Sequence, residues 1–142
     1  MSKRISIALL LVFAALLTTG CVGRADDPYV AGSYSTGQAQ EIIMDVRDRR
    51  IEVLPSEDDQ IHLDYFQNET ERYAIELADG ILTVNYAPSK EWRDYIGTKP
   101  DAAMRVITLR LPHSLRALTI STTNADVCFG RVSIAGDLNA YS

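Results

Sequence analysis

Through the middle of the chain, apolar residues fall on every second position. Ile51 and Val53 flank Glu52, Ile61, Leu63 and Tyr65 alternate with His62 and Asp64, and Tyr73, Ile75 and Leu77 alternate with Ala74 and Glu76. The same period continues through Leu82, Val84 and Tyr86, and again through Ile107, Leu109 and Leu111. A period of two gives an extended chain one apolar and one wet face, so each run predicts a half-buried strand. No stretch between residues 41 and 88 carries a helical stripe. The breaks are of the turn kind: PSEDDQ at 55–60, NETE at 68–71 and ADG at 78–80, where Asp79-Gly80 suits a two-residue hairpin needing positive φ. The pattern predicts an all-β domain over residues 41–142 that begins with antiparallel hairpins.

Further along, the strands shorten and turns recur at regular spacing. LRLP ends a strand at Pro112; Leu118 and Ile120 then point inward and Thr119 and Ser121 outward. TNAD, with Asn124 to Asp126, forms a turn, Val127 and Phe129 return to the core, Val132 and Ile134 follow, and Leu138 starts the cycle again. Short strands with a turn at each corner are the grammar of a β-solenoid or β-roll, in which each rung covers the apolar edge of the previous one. The phrase LNAYS stops at Ser142, where the next corner is due, so the reading predicts a repeat truncated at its C-terminus. One stretch, Pro88 to Asp101, departs from the pattern. It predicts a long excursion in which Ser89 caps a short helical turn ended by Gly97 and Pro100. Trp92, Tyr95 and Ile96 are then either its packing foot on the sheet or, for Trp92 and Tyr95, an exposed contact loop.

The N-terminus follows different rules. Lys3 and Arg4 precede an apolar run from Ile5 to Leu17, and Thr18-Thr19-Gly20 supplies small residues before Cys21. This is the layout of an export signal over residues 1–20, and the run is shorter than the ~20 apolar residues that a transmembrane helix needs. LLTTGC resembles the lipobox of bacterial lipoproteins, in which the cysteine carries diacylglycerol and becomes the new N-terminus. Thr18 departs from the branched apolar residue preferred there, and plain secretion is the alternative. The resemblance implies lipidation at Cys21, an anchor that needs no membrane-spanning helix because two or three acyl chains hold stably. Val22 after the cysteine implies the outer membrane in a two-membrane bacterium and carries no address in a single-membrane one. Residues 21–40, rich in Gly, Ser, Ala and Asp, predict a flexible tether.

Charge and cysteine content narrow the function classes. Loss of Lys3 and Arg4 with the leader takes the 14 basic residues to 12 against 19 acidic ones, a balance of −7. Such a surface repels phosphate backbones and argues against nucleic acid as a partner. With Cys21 lipidated, Cys128 has no partner for a disulfide, so the exported domain rests on its core. Cys128, His113 and Asp126 evoke a thiol nucleophile with a base, but no flanking motif or spacing supports one, and a small thiol is more often packing. Glu57, Asp58, Asp59, His62 and Asp64 invite a metal, yet one histidine with scattered carboxylates matches neither a zinc set nor a calcium cage. The sequence therefore predicts no enzyme, no metal and no cofactor.

The order IEVLPSEDDQIHLDYF, YAIELADGILTVNY, RVITLRLP, LTISTTNADV and VSIAGDLNAYS resembles the β-strand-repeat family of bacterial envelope proteins known as "putative adhesins", a domain of unknown function. Leu118, Ile120, Thr122, Asn124 and Asp126 fit its Leu-x-Ile-x-Thr-x-Asn-Gly-Asp-Ile frame; Ala125 and Val127 depart from it. Ala125 stands where the family favours Gly, at a corner that often wants positive φ. The resemblance spans roughly residues 40–142. It implies an envelope protein held on the cell membrane or outer membrane, acting as a non-catalytic binding or adhesion module on an unknown protein or glycan. The alternative is a structural or stress-related envelope protein that binds another membrane protein.

Overall fold

A computed structural model of the chain describes residues 27–89 and 100–142. Ten strands follow one another: β1 (Val30–Thr36), β2 (Glu41–Arg47), β3 (Arg50–Pro55), β4 (Ile61–Gln67), β5 (Glu71–Ala78), β6 (Ile81–Pro88), β7 (Val106–Leu111), β8 (Ala117–Thr123), β9 (Val127–Phe129) and β10 (Asp137–Tyr141). A 3-10 turn, Ala102–Arg105, precedes β7. The strands form two five-stranded sheets, ordered β1-β4-β7-β3-β9 and β10-β8-β2-β6-β5. Both are mixed, because β1–β4, β4–β7 and β5–β6 are antiparallel while the remaining pairs are parallel. The sheets share one core built from Ile42, Met44, Ile51, Ile61, Leu63, Leu82, Val84, Ile107, Leu109, Leu118 and Ile120 with their neighbours, all essentially shielded from solvent.

Parallel pairing arises because the chain turns a corner from one sheet into the other and later repeats the same move. β2 and β3 are joined at Asp48-Arg49, and β8 and β9 at Asn124 to Asp126. The second unit lies on the first in register: Ile42 opposes Leu118 and Ile51 opposes Val127, each pair 76 residues apart in sequence. One inward column accordingly runs Leu82, Ile42, Leu118, Leu138 along one sheet, and Ile107, Ile51, Val127 line the other. Leu138 opposes Leu118, the alignment that the recurrence of LNAYS predicts.

The corners stack as well. Asp48 and Asn124, at equivalent places 76 residues apart, both adopt the left-handed conformation, at φ 51° and 57°. Asn124 Nδ2 donates to Asp48 Oδ1 at 3.3 Å, and the Asp48 amide donates to the Thr123 carbonyl at 2.8 Å. Asn and Asp tolerate this region because their short polar side chains bond locally. The positive φ thus falls on Asn124, and Ala125 is spared the strain that a glycine-favouring position implies. Asn124→Val is expected to cost about 1–2 kcal/mol in urea unfolding while Asn124→Gly stays near wild type; equal losses would mean that side-chain bonding, and not backbone strain, sets the corner.

Several expectations need correction. The Asp79-Gly80 hairpin forms, with φ of 51° and 78° and Ala78 opposite Ile81. The antiparallel start does not: β3 takes the parallel strands β7 and β9 as neighbours, and the chain between β3 and β4 stays within one sheet without pairing them. The stretch read as tether contains β1, antiparallel to β4 from Val30↔Gln67 to Thr36↔Ile61. Its inward positions are Gly32, Tyr34 and Thr36, too weakly apolar to register as alternation. β2 does not stand out in the alternation because Ile43, 38% exposed on the outer face, interrupts its apolar-polar pattern. Phe129, expected in the core, is 41% exposed because three-residue β9 is the edge of its sheet. Val132 and Ile134 pack on the core from irregular chain. Gly136 lets that chain rejoin: a Cβ there would lie 1.7 Å from the Arg116 carbonyl oxygen.

Candidate functional site

Where the corner strands meet the hairpin, charge is buried. Arg49 and Glu71 form an ion pair whose side chains are 3% and 4% exposed. Arg49 lies in the β2–β3 corner and Glu71 begins β5. Arg49 Nε donates to the Tyr73 hydroxyl at 2.9 Å, its Nη1 donates to the Asp48 carbonyl at 3.1 Å, and its guanidinium sits 5.6 Å from the Tyr86 ring centre. The Tyr29 hydroxyl donates to Glu71, and Thr122 Oγ1 donates to the Arg49 carbonyl at 3.1 Å. Tyr65 meets Tyr73 edge-on at 5.2 Å and Tyr73 meets Tyr86 at 6.1 Å, closing an aromatic wall. Burial raises the Tyr73 and Tyr29 phenols, against the opposing pull of the Arg49 charge, so both hold their protons at neutral pH. Carboxylate, guanidinium and hydroxyls are bonded to one another, an arrangement that fixes the junction of the two sheets.

The outer face of the β1-β4-β7 sheet carries an open groove of about 480 Å³, lined by Ala31, Ser33, Asp64, Phe66, Val106 and Thr108 among others. Its lining mixes apolar Ala31, Phe66 and Val106 with polar Ser33, Asp64 and Thr108. Asp64 at its margin pairs with Arg110 of β7. The acidic stretch before β4 is spoken for locally. Asp58 Oδ1 accepts from Ser56 Oγ at 2.8 Å and from the Gln60 amide at 3.0 Å, and lies 2.9 Å from His62 Nε2. His62 Nδ1 lies 2.8 Å from Ser35 Oγ on β1. No group of three or more metal-ligating side chains gathers among the described residues.

Hydrogen bonding, first from His62 and then from the Gln60 amide and Ser56, lowers the Asp58 carboxyl to about 2. A carboxyl depressed on folding adds stability above its unfolded value of 3.8, and that contribution disappears as pH falls through about 2. Carbon-detected NMR titration should place the Asp58 midpoint near 2 and move it toward 3.8 in His62→Ala; an unmoved midpoint in that variant would remove His62 as the main cause.

The sequence candidates fare unevenly. Cys21, Trp92 and Tyr95 lie outside the described residues. Ser89 sends its hydroxyl to the Glu69 carbonyl at 3.2 Å. Cys128, half-buried, sits on β9 opposite Glu52. His113 Nδ1 lies 3.1 Å from the Ser133 carbonyl oxygen, at the start of β8, whereas Asp126 follows the end of that strand. Seven residues of β8 span about 23 Å. β8 therefore separates Asp126 from His113, so the two do not act on Cys128 together. Sequence reasoning missed the Arg49–Glu71–tyrosine cluster; laying residues 42–53 on 118–129 places Arg49 against Ala125 at an inward corner, the one signal that points to it.

No known protein family matches the chain, and no curated protein does. Among solved structures, it is similar to a putative cell adhesion protein from Clostridium sporogenes, at 11% identity and a TM-score of 0.50, over 81% of this chain and 57% of that one. A putative adhesin from Parabacteroides distasonis aligns over 81% of this chain and 54% of its own, at 12% identity and a TM-score of 0.38. The chain thus spans a little over half the length of these proteins. The Clostridium likeness shows a shared fold.

Proposed function

We propose that the protein is an exported, lipid-anchored envelope protein that acts as a non-catalytic binding module of the adhesion type. The observation that carries this reading is the fold shared with the Clostridium protein described as a putative cell adhesion protein. Fold alone does not fix function, and two further features agree with it. The leader ending in Gly20-Cys21 has the order of a lipoprotein signal. Arg49, Glu71, Tyr73 and Thr122 are engaged with one another, which leaves outer surfaces, chiefly the groove between β1, β4 and β7, as the places a partner would touch. In this reading the stacked corners and parallel columns are the start of a β-solenoid, and a protein or glycan of the envelope or of a neighbouring cell is the ligand.

Protease shaving of intact source cells tests the role. A module that binds partners outside the cell is released as peptides of residues 27–142 without lysis. Protection in intact cells, with digestion only after the envelope is opened, would favour the rival role of binding a membrane protein inside the envelope.

A further inference from the structure

We propose that the domain stands on the membrane with a fixed polarity, the end bearing its inter-sheet corners facing the bilayer and the Asp79-Gly80 end facing away. This rests on lipidation of Cys21. The chain leaving such an anchor is gripped early. The Asp27 carboxylate accepts from the Glu69 amide at 3.0 and 3.1 Å and from the Thr70 amide at 3.3 Å, and the Asp27 carbonyl accepts from Asn68 Nδ2 at 3.3 Å. Two residues on, Tyr29 bonds to the buried Glu71. The β4–β5 turn that does the gripping is braced in its own right, with the Asn68 side chain accepting from the Glu71 amide at 2.7 Å and Ser89 donating to the Thr70 carbonyl at 2.9 Å.

Asp27 lies six residues beyond Cys21, a reach of about 20 Å at full extension. The gripped turn is at the end of the sheets that also carries the Asp48 and Asn124 corners, since β5 begins there opposite the end of β6, and β2, β6 and β8 all run toward it. The Asp79-Gly80 turn, the Pro112–Leu115 turn and the start of β10 lie at the other end, joined by bonds from Gln40 to the Gly80 carbonyl and from Asp137 to the Arg116 carbonyl. Eight-residue β5 separates the two ends by about 26 Å. Inversion would lift Asp27 farther from the bilayer than its six-residue leash allows. A partner therefore meets the far end and the outer sheet faces, and the bilayer surface meets the β4–β5 turn.

The test uses the full chain, lipidated in cells and reconstituted into phosphatidylcholine vesicles that contain a headgroup nitroxide lipid. In a Cys128→Ser background, a fluorophore is placed at Glu69→Cys or at Asp137→Cys, both exposed sites. Quenching is expected to be several-fold stronger at position 69 than at 137, and Asp27→Ala should shrink the difference by lengthening the free leash. Flotation with the vesicles but equal or reversed quenching would overturn the polarity alone. Failure to float would overturn the anchor, and the polarity with it.

Discussion

Glu71→Ala is expected to lower the unfolding free energy by about 3–5 kcal/mol, because it leaves the Arg49 guanidinium charged, buried and without its counter-charge. That is a large share of the ~5–15 kcal/mol that holds a domain of this size. Removing the carboxylate also takes the acceptor from Tyr29, which loosens the approach to β1. The exchange Arg49→Met with Glu71→Leu should recover most of the loss, since burying two charges costs desolvation that apolar side chains of similar volume do not incur. Urea unfolding of the wild type, Arg49→Met, Glu71→Leu and the double variant closes the cycle. A single-variant cost below about 1 kcal/mol would place the pair in the range of exposed salt bridges and refute its burial.

Leu118→Ala and Leu138→Ala remove the same atoms from adjacent positions of one column, with unequal consequences. Leu118 is fully buried between Ile42 and Leu138, so truncation should cost about 2–5 kcal/mol through lost burial and an unfilled cavity. Leu138 is 42% exposed on the last strand of its sheet, and truncation there should cost under about 1 kcal/mol. Similar losses at both sites, measured by thermal or urea unfolding, would mean that β10 is covered in solution.

The inward faces of β4, β6, β7 and β8 were legible in the sequence because each strand buries one face. Ile61, Leu63, Leu82, Val84, Ile107, Leu109, Leu118 and Ile120 are all core. The Asp79-Gly80 turn was legible because its chemistry is local. Sheet membership was not. The pairing of Ile42 with Leu118 joins residues 76 apart, and nothing in either segment alone records its partner. The corners resemble ordinary turns until the two are aligned and Asp48 falls on Asn124. The buried cluster was hidden for the same reason: Arg49 sat in a run of charges and Glu71 in a polar turn, both of which read as solvated until the fold brings them together. β1 was lost among small residues because its burial comes from Tyr34 and from pairing with β4, not from a stripe of its own.

The anchor underlies both the proposed role and the polarity of the domain, and one mass measurement reaches it directly. Protein isolated from source cells and digested should yield an N-terminal peptide that begins at Cys21 and carries diacylglycerol, with residues 1–20 gone. Cys21→Ser should abolish the lipid and release the protein from the membrane fraction. An N-terminal peptide that retains the leader, or one that begins near Cys21 with an unmodified thiol, would contradict the account.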